Sequence, residues 1–231
     1  MNLSRKLALA VALSFALPLA ARADAEQDAI VKDLLAGNKL YAQGVASGLP
    51  DIGPARRTAL ASAQNPKAIV LGCADSRVPP EHVFRQGLGD VFVTRIAGNV
   101  PMSGMIASIE YAVEHLGTKV LLVMGHQSCG AVKAAVAEYD AAAAGTHTAL
   151  TPDLFHLVDE ILPAVDWAVK THQRDVLDAS VHMNARMAAQ TLLDRSEVVR
   201  TAWKQGELKI VVGYYNLGTG VVTLERDVEL R

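Results

Sequence analysis

The chain has 231 residues, half of them hydrophobic (51%), a length that suits one domain with a sizeable core. Its 22 Lys and Arg stand against 24 Asp and Glu with no basic block anywhere, which argues against a nucleic-acid surface. Only two cysteines are present, Cys73 and Cys129.

The first 23 residues read as a secretory leader. Arg5 and Lys6 form a positive start, and residues 7–19 are apolar but too short to span a bilayer comfortably. Ala21-Arg22-Ala23 is a small-x-small cleavage site, so cutting is expected after Ala23, leaving 24–231 as one mature domain. The alternative is an uncleaved anchor. With no twin-arginine pair, the expected route is the general secretory one, and the expected destination is the periplasm. Loss of Arg5, Lys6 and Arg22 leaves 19 basic residues against 24 acidic ones, a net charge of −5. No later stretch is apolar and long enough for a membrane helix, so no membrane contact is expected after cleavage.

Residues 24–48 predict a helical arm, punctuated by Leu34, Leu35, Leu40 and Tyr41 and ended by Gly44 and Gly48. Residues 67–72 predict a buried strand. Pro79 and Pro80 stop it, and a short helix follows through Phe84. The run "DVFVTR", residues 90–95, predicts a second strand. From Ser103, an N-cap candidate, Ile106, Ile109, Ala112, Val113 and Leu116 fall at helical spacing, and Gly117 closes the helix. "KVLLVMG", residues 119–125, predicts a third strand, apolar throughout as expected when both faces are covered. "CGAVKAAVAEYDAAAA" follows as a helix. Residues 145–151 form a polar loop, and 152–206 predict two or three helices with no strand between them. Residues 208–217 predict a fourth strand, with "GVVTLERDV" as an edge strand paired to it across "GTG".

This alternation predicts an α/β fold: a central, mostly parallel sheet of four strands plus an antiparallel edge strand, flanked by helices, with an N-terminal helical arm. In such sheets ligands bind just beyond the carboxyl ends of the strands. The pattern puts Cys73 and His126 at that edge, with Cys129 three residues after His126. Two thiols and an imidazole suit zinc, and three protein ligands leave one position open. Asp75, two residues from Cys73, is placed to fill that position or to stand beside it. A disulfide between the two cysteines is the competing reading in an exported chain, but it leaves His126 and an expected buried charge pair, Asp75/Arg77, unexplained.

"CADSRVP" with "GHQSCGAV" resembles the β-class carbonic anhydrases. "GNKLYAQG", "GDVFVTRIAGN", "SIEYAVEHLG" and "GYYNLGTGVV" extend the resemblance over most of the mature chain. The resemblance implies one Zn2+ per subunit held by Cys73, His126 and Cys129, with Asp75 a fourth ligand only in a closed form. It implies Asp75 and Arg77 as a catalytic dyad. The implied reaction is reversible hydration of carbon dioxide to bicarbonate and a proton by hydroxide generated at zinc. It also implies a homodimer or a dimer of dimers. Gln86 matches a substrate-binding glutamine of open-form members. Gly130, at a helix start, offers an amide to bicarbonate, or else serves only a tight turn. Two other readings of the same fold are attack on another small heterocumulene, such as carbon disulfide or carbonyl sulfide, and a non-catalytic zinc protein. His82 and His115 read as a surface residue and a helix end. His147, His156, His172 and His182 have no partner at ligand spacing. Tyr214 and Tyr215 read as pocket wall or core.

Overall fold

The computed structural model describes residues 19–46, 48 and 50–231. Five strands form one sheet: β1 (Ala68–Gly72), β2 (Val91–Arg95), β3 (Val120–His126), β4 (Lys209–Tyr215) and β5 (Val222–Leu224). Their spatial order is β2-β1-β3-β4-β5. The first four run parallel, and β5 returns antiparallel to β4. β1 and β3 are buried at every position, because helices cover both faces of the sheet. The pleat divides their side chains. Ala68, Val70, Leu122 and Met124 enter one core cluster, while Ile69, Leu71, Leu121 and Val123 enter the other. Each fully buried aliphatic side chain of this kind contributes about 1.5–3 kcal/mol.

Helices α1 (Leu19–Ala42), α2 (Pro54–Leu60), α3 (Pro80–Val83), α4 (Ser103–Glu114) and α5 (Gly130–Ala143) precede β4. So do α6 (Pro152–Asp159), α7 (Leu162–Lys170), α8 (Val176–Arg195) and α9 (Glu197–Lys204). Residues 152–206 thus hold four helices rather than two or three. The extra breaks come from caps: Asp175 accepts from the Asp178 amide at 3.0 Å, and Ser196 from the Val199 amide at 3.1 Å. Ser103 is not an N-cap. It is the first residue of α4, and its hydroxyl accepts from Arg195 at 3.1 Å. α2 has no counterpart among the expected elements.

The arm is one helix, α1, that begins at Leu19 and so runs through Ala21-Arg22-Ala23. Most of the expected leader, residues 1–18, lies outside the described residues. Gly44, at φ +66°, turns the chain after α1. Buried Asn38 ties α1 to the body. Its Nδ2 donates to the Val83 carbonyl (3.2 Å) and the Gly220 carbonyl (2.8 Å), while its Oδ1 accepts from the Val222 amide (2.8 Å). Among the described residues, no helix is long and apolar enough to cross a membrane.

Candidate active site

Parallel strands ending in register bring distant residues to one edge. Cys73 directly follows β1, and His126 is the last residue of β3. Gln127 extends the ladder by donating its amide to the Tyr215 carbonyl at 2.9 Å. Ser128, at φ +54°, turns the chain, and Cys129 precedes α5. The ligand atoms of Cys73, His126 and Cys129 all lie within 4.8 Å of one another. Their residues are 3%, 1% and 1% exposed.

The sulfurs are 4.0 Å apart, where a disulfide needs about 2.05 Å, so both cysteines are free and the disulfide reading is set aside. His126 decides what the cluster is suited to. Its Nδ1 donates to the Gln127 carbonyl at 2.9 Å, which leaves the lone pair on Nε2. Nε2 is buried and has no hydrogen-bond partner. An orphaned ring nitrogen beside two sulfurs is costly unless a cation takes its lone pair. Two soft sulfurs with one imidazole fit zinc, and the Nδ1 hydrogen bond to the Gln127 carbonyl fixes the ring for it.

Cys73 is drawn down to about 4, chiefly by its hydrogen bond with Cys129, then by His126 and by the amides of Asp75 (3.4 Å) and Gly98 (3.3 Å). The same pairing, with burial, pushes Cys129 up. One proton is therefore shared by two sulfurs, and metal binding would release it. Gly98 sits at φ +71°, and a Cβ there would lie 2.7 Å from Ile161 and 3.2 Å from Ala131, so glycine is required for its amide to reach the sulfur. Asn184 holds the same peptide from behind, donating to the Gly98 carbonyl at 2.7 Å.

Asp75 faces Arg77. Oδ1 accepts from the Arg77 backbone amide and Nε, both at 2.9 Å, and Oδ2 from Nη2 at 2.7 Å. Oδ2 also lies 3.9 Å from His126 Nε2. The pair is not buried as expected: the Arg77 side chain is 53% exposed and that of Asp75 17%, because the turn after Cys73 leads outward before Val78 returns to the core. Arg95, at the end of β2, was not anticipated. It donates to the Cys73 carbonyl at 2.8 Å and the Asp75 carbonyl at 2.5 Å. Its place at the carboxyl end of a parallel strand was the available signal.

Gln86 is buried, and its Nε2 donates to the Phe84 carbonyl at 2.8 Å. It lines a cavity of about 490 Å³ with Tyr41, Ile52, His82 and Arg85, and no described contact joins it to Cys73, His126 or Cys129. Gly130 opens α5. Its φ is not positive and a Cβ there would meet nothing within 4 Å, so neither the turn nor packing demands glycine. His82 and His115 are exposed, with His115 at the C-terminal cap of α4. His147 contacts the Glu138 carboxylate, and His182 those of Glu225 and Asp178, with no cysteine or second histidine beside them among the described residues. Tyr214 is buried, stacks on His182 at 4.1 Å and donates to Asp178 at 2.6 Å. Tyr215, also buried, meets the Tyr41 hydroxyl at 3.2 Å.

Residues 68–222 match the family model described as carbonic anhydrase. The chain is 36% identical over 201 residues to carbonic anhydrase 2 of Mycobacterium tuberculosis, an overlap of 85% of this chain and 92% of that protein. Among solved structures it is similar to the Coccomyxa β-carbonic anhydrase in complex with acetazolamide, at 27% identity and a TM-score of 0.63, covering 90% of this chain and 86% of that one. A tetrameric β-carbonic anhydrase from Sordaria macrospora shares the fold, at 22% identity and a TM-score of 0.61, covering 86% and 98%. With the match running from the start of β1 through β4 to the first residue of β5, and a relative aligned along nearly its whole length, this chain belongs to the β-class carbonic anhydrase family.

Proposed function

We propose that the chain is a zinc enzyme that interconverts carbon dioxide with bicarbonate and a proton. The observation that carries this reading is the buried, unpartnered Nε2 of His126 beside two free sulfurs. Zinc held by Cys73, His126 and Cys129 would acidify a water at its remaining position and so supply hydroxide near neutrality. Asp75 does the orienting. Ionised and held by Arg77, it only accepts hydrogen bonds, so a nucleophile donating to it turns a lone pair toward carbon. The grip of Arg77 also weighs against Asp75 as a permanent fourth ligand, and so against a purely structural site. Gly130, next to Cys129, leaves space at the start of α5, where the positive end of the helix favours an anion such as bicarbonate.

The tetrameric Sordaria relative supports a dimer or a dimer of dimers here. The positive start, short apolar run and small-x-small site within residues 1–23 support export to the periplasm.

Stopped-flow hydration measured beside metal content tests the reading. One zinc per chain and accelerated acidification are expected, both lost with a chelator and both restored by zinc. The rate should rise toward alkaline pH, because two thiolates offset the charge of the ion and leave it a weaker acidifier than a three-histidine site. Zinc-loaded protein that does not speed hydration would overturn the enzyme reading, and faster turnover of carbon disulfide would redirect it.

A further inference from the structure

Arg95 ends β2 directly opposite Gly72, the residue before Cys73. Its Nε reaches the carbonyl of Cys73, and its Nη2 the carbonyl of Asp75. Those carbonyls belong to the cysteine of the ligand cluster and to the carboxylate residue held by Arg77. Nε and Nη2 lie on one edge of a rigid planar group, so the two bonds together fix the peptide path between these residues. The backbone of Ile96 completes the brace. Its amide donates to the Gly72 carbonyl and its carbonyl accepts from the Ala74 amide, both at 3.2 Å. The turn that bears a metal-ligand candidate at one end and the orienting carboxylate at the other is thus held by a neighbouring strand end.

We propose that Arg95 is a positioning residue for the hydration reaction. It sets the separation of the Cys73 sulfur from the Asp75 carboxylate. It thereby keeps Asp75 on Arg77 rather than letting it swing into the ligand cluster, whose His126 Nε2 is 3.9 Å away. Lysine offers a single nitrogen with rotatable donors in place of the guanidinium's fixed fork, and glutamine is shorter and uncharged. The inference rests on the carbonic anhydrase reading.

The test compares Arg95→Lys, Arg95→Gln and Arg95→Ala with the unaltered chain, each loaded with zinc for kinetics and with cobalt for visible absorption. Hydration kcat should fall about 10- to 100-fold, the usual effect of removing a group that orients a metal site from behind. KM should change far less. The cobalt bands should move as the carboxylate approaches the ion, and added guanidinium should restore part of the Arg95→Ala rate. Unchanged kcat and cobalt bands in Arg95→Gln would overturn the proposal. So would a loss of rate that tracks a lowered melting temperature with unaltered bands, since that marks a role in folding alone. Should Arg95→Gln fail to fold, Arg95→Lys decides by the same two readouts. Failure of the unaltered chain to hydrate carbon dioxide would refute the enzymatic reading, while the cobalt bands would still report whether the brace exists.

Discussion

Asp75 accepts three hydrogen bonds from Arg77, and these hold its carboxyl well below the usual carboxylate range. A folded-state pKa below the unfolded value of about 3.9 makes a contribution to stability that is present above that value and fades only as pH falls toward the folded one. Asp75 is therefore charged at every pH where hydration is useful. Asp75→Asn keeps the shape, loses the charge and puts a donor where an acceptor is needed. Turnover should drop about 10²- to 10⁴-fold while the zinc content stays at the unaltered level, as metal analysis beside kinetics would show. Loss of zinc in that variant would make Asp75 a ligand instead. The residues of this cluster were legible because their chemistry lies in side chains packed into two short stretches, 73–77 and 126–129. Arg95 was not, because its partners are main-chain carbonyls, and any residue carries one of those.

α5 starts directly after Cys129, with Gly130 as its first residue, and is tied to the loop that follows it by Glu138. That buried carboxylate accepts from the Thr148 hydroxyl, from the Thr148 amide at 2.9 Å and from His147 Nδ1 at 2.7 Å. The Thr148 hydroxyl, then His147, lower it to about 2. Its contribution to stability is complete above the unfolded glutamate value of about 4.3 and disappears as pH falls through about 2. Glu138→Gln should therefore lower the melting temperature by a constant amount above pH 5. The gap to the unaltered protein should close between pH 4 and 2, and a gap independent of pH would show that charge is not what pins the loop. At this scale β1 to β4 were readable to within two residues, since they are uninterrupted runs rich in β-branched and other apolar residues, whereas β5 stops at Leu224 and not at the end of "GVVTLERDV", where charged residues follow. The helices of 152–206 were not separated, because α8 buries polar Ser180 and Asn184 among its apolar residues, which blurs its periodicity. Asp175 and Ser196 were the punctuation that would have divided the segment.

At the scale of the whole molecule, the sheet brings together side chains that lie far apart in sequence. Four parallel strands end at one edge, so residues 73, 95 and 126 become neighbours although they are distant along the chain. That much follows from alternating strands and helices. The bracing of α1 through Asn38, and the partner seen by each strand-end side chain, emerge only once the strand order is known. The same convergence leaves the two sulfurs 4.0 Å apart, neighbours that are not bonded, with Cys73 held below the usual thiol range by its hydrogen bond with Cys129. In an oxidising compartment such a pair can be drawn together and closed, giving two electrons and its one proton to glutathione disulfide, which takes a second proton from water and leaves as two glutathione molecules. Chelator-stripped protein incubated with that oxidant should lose both titratable thiols and then refuse zinc until treated with dithiothreitol, whereas loaded protein should keep them. Occupancy would then be a record of history: a molecule that once lets its ion go outside the cytoplasm is retired, and its working lifetime is set by how slowly the ion leaves.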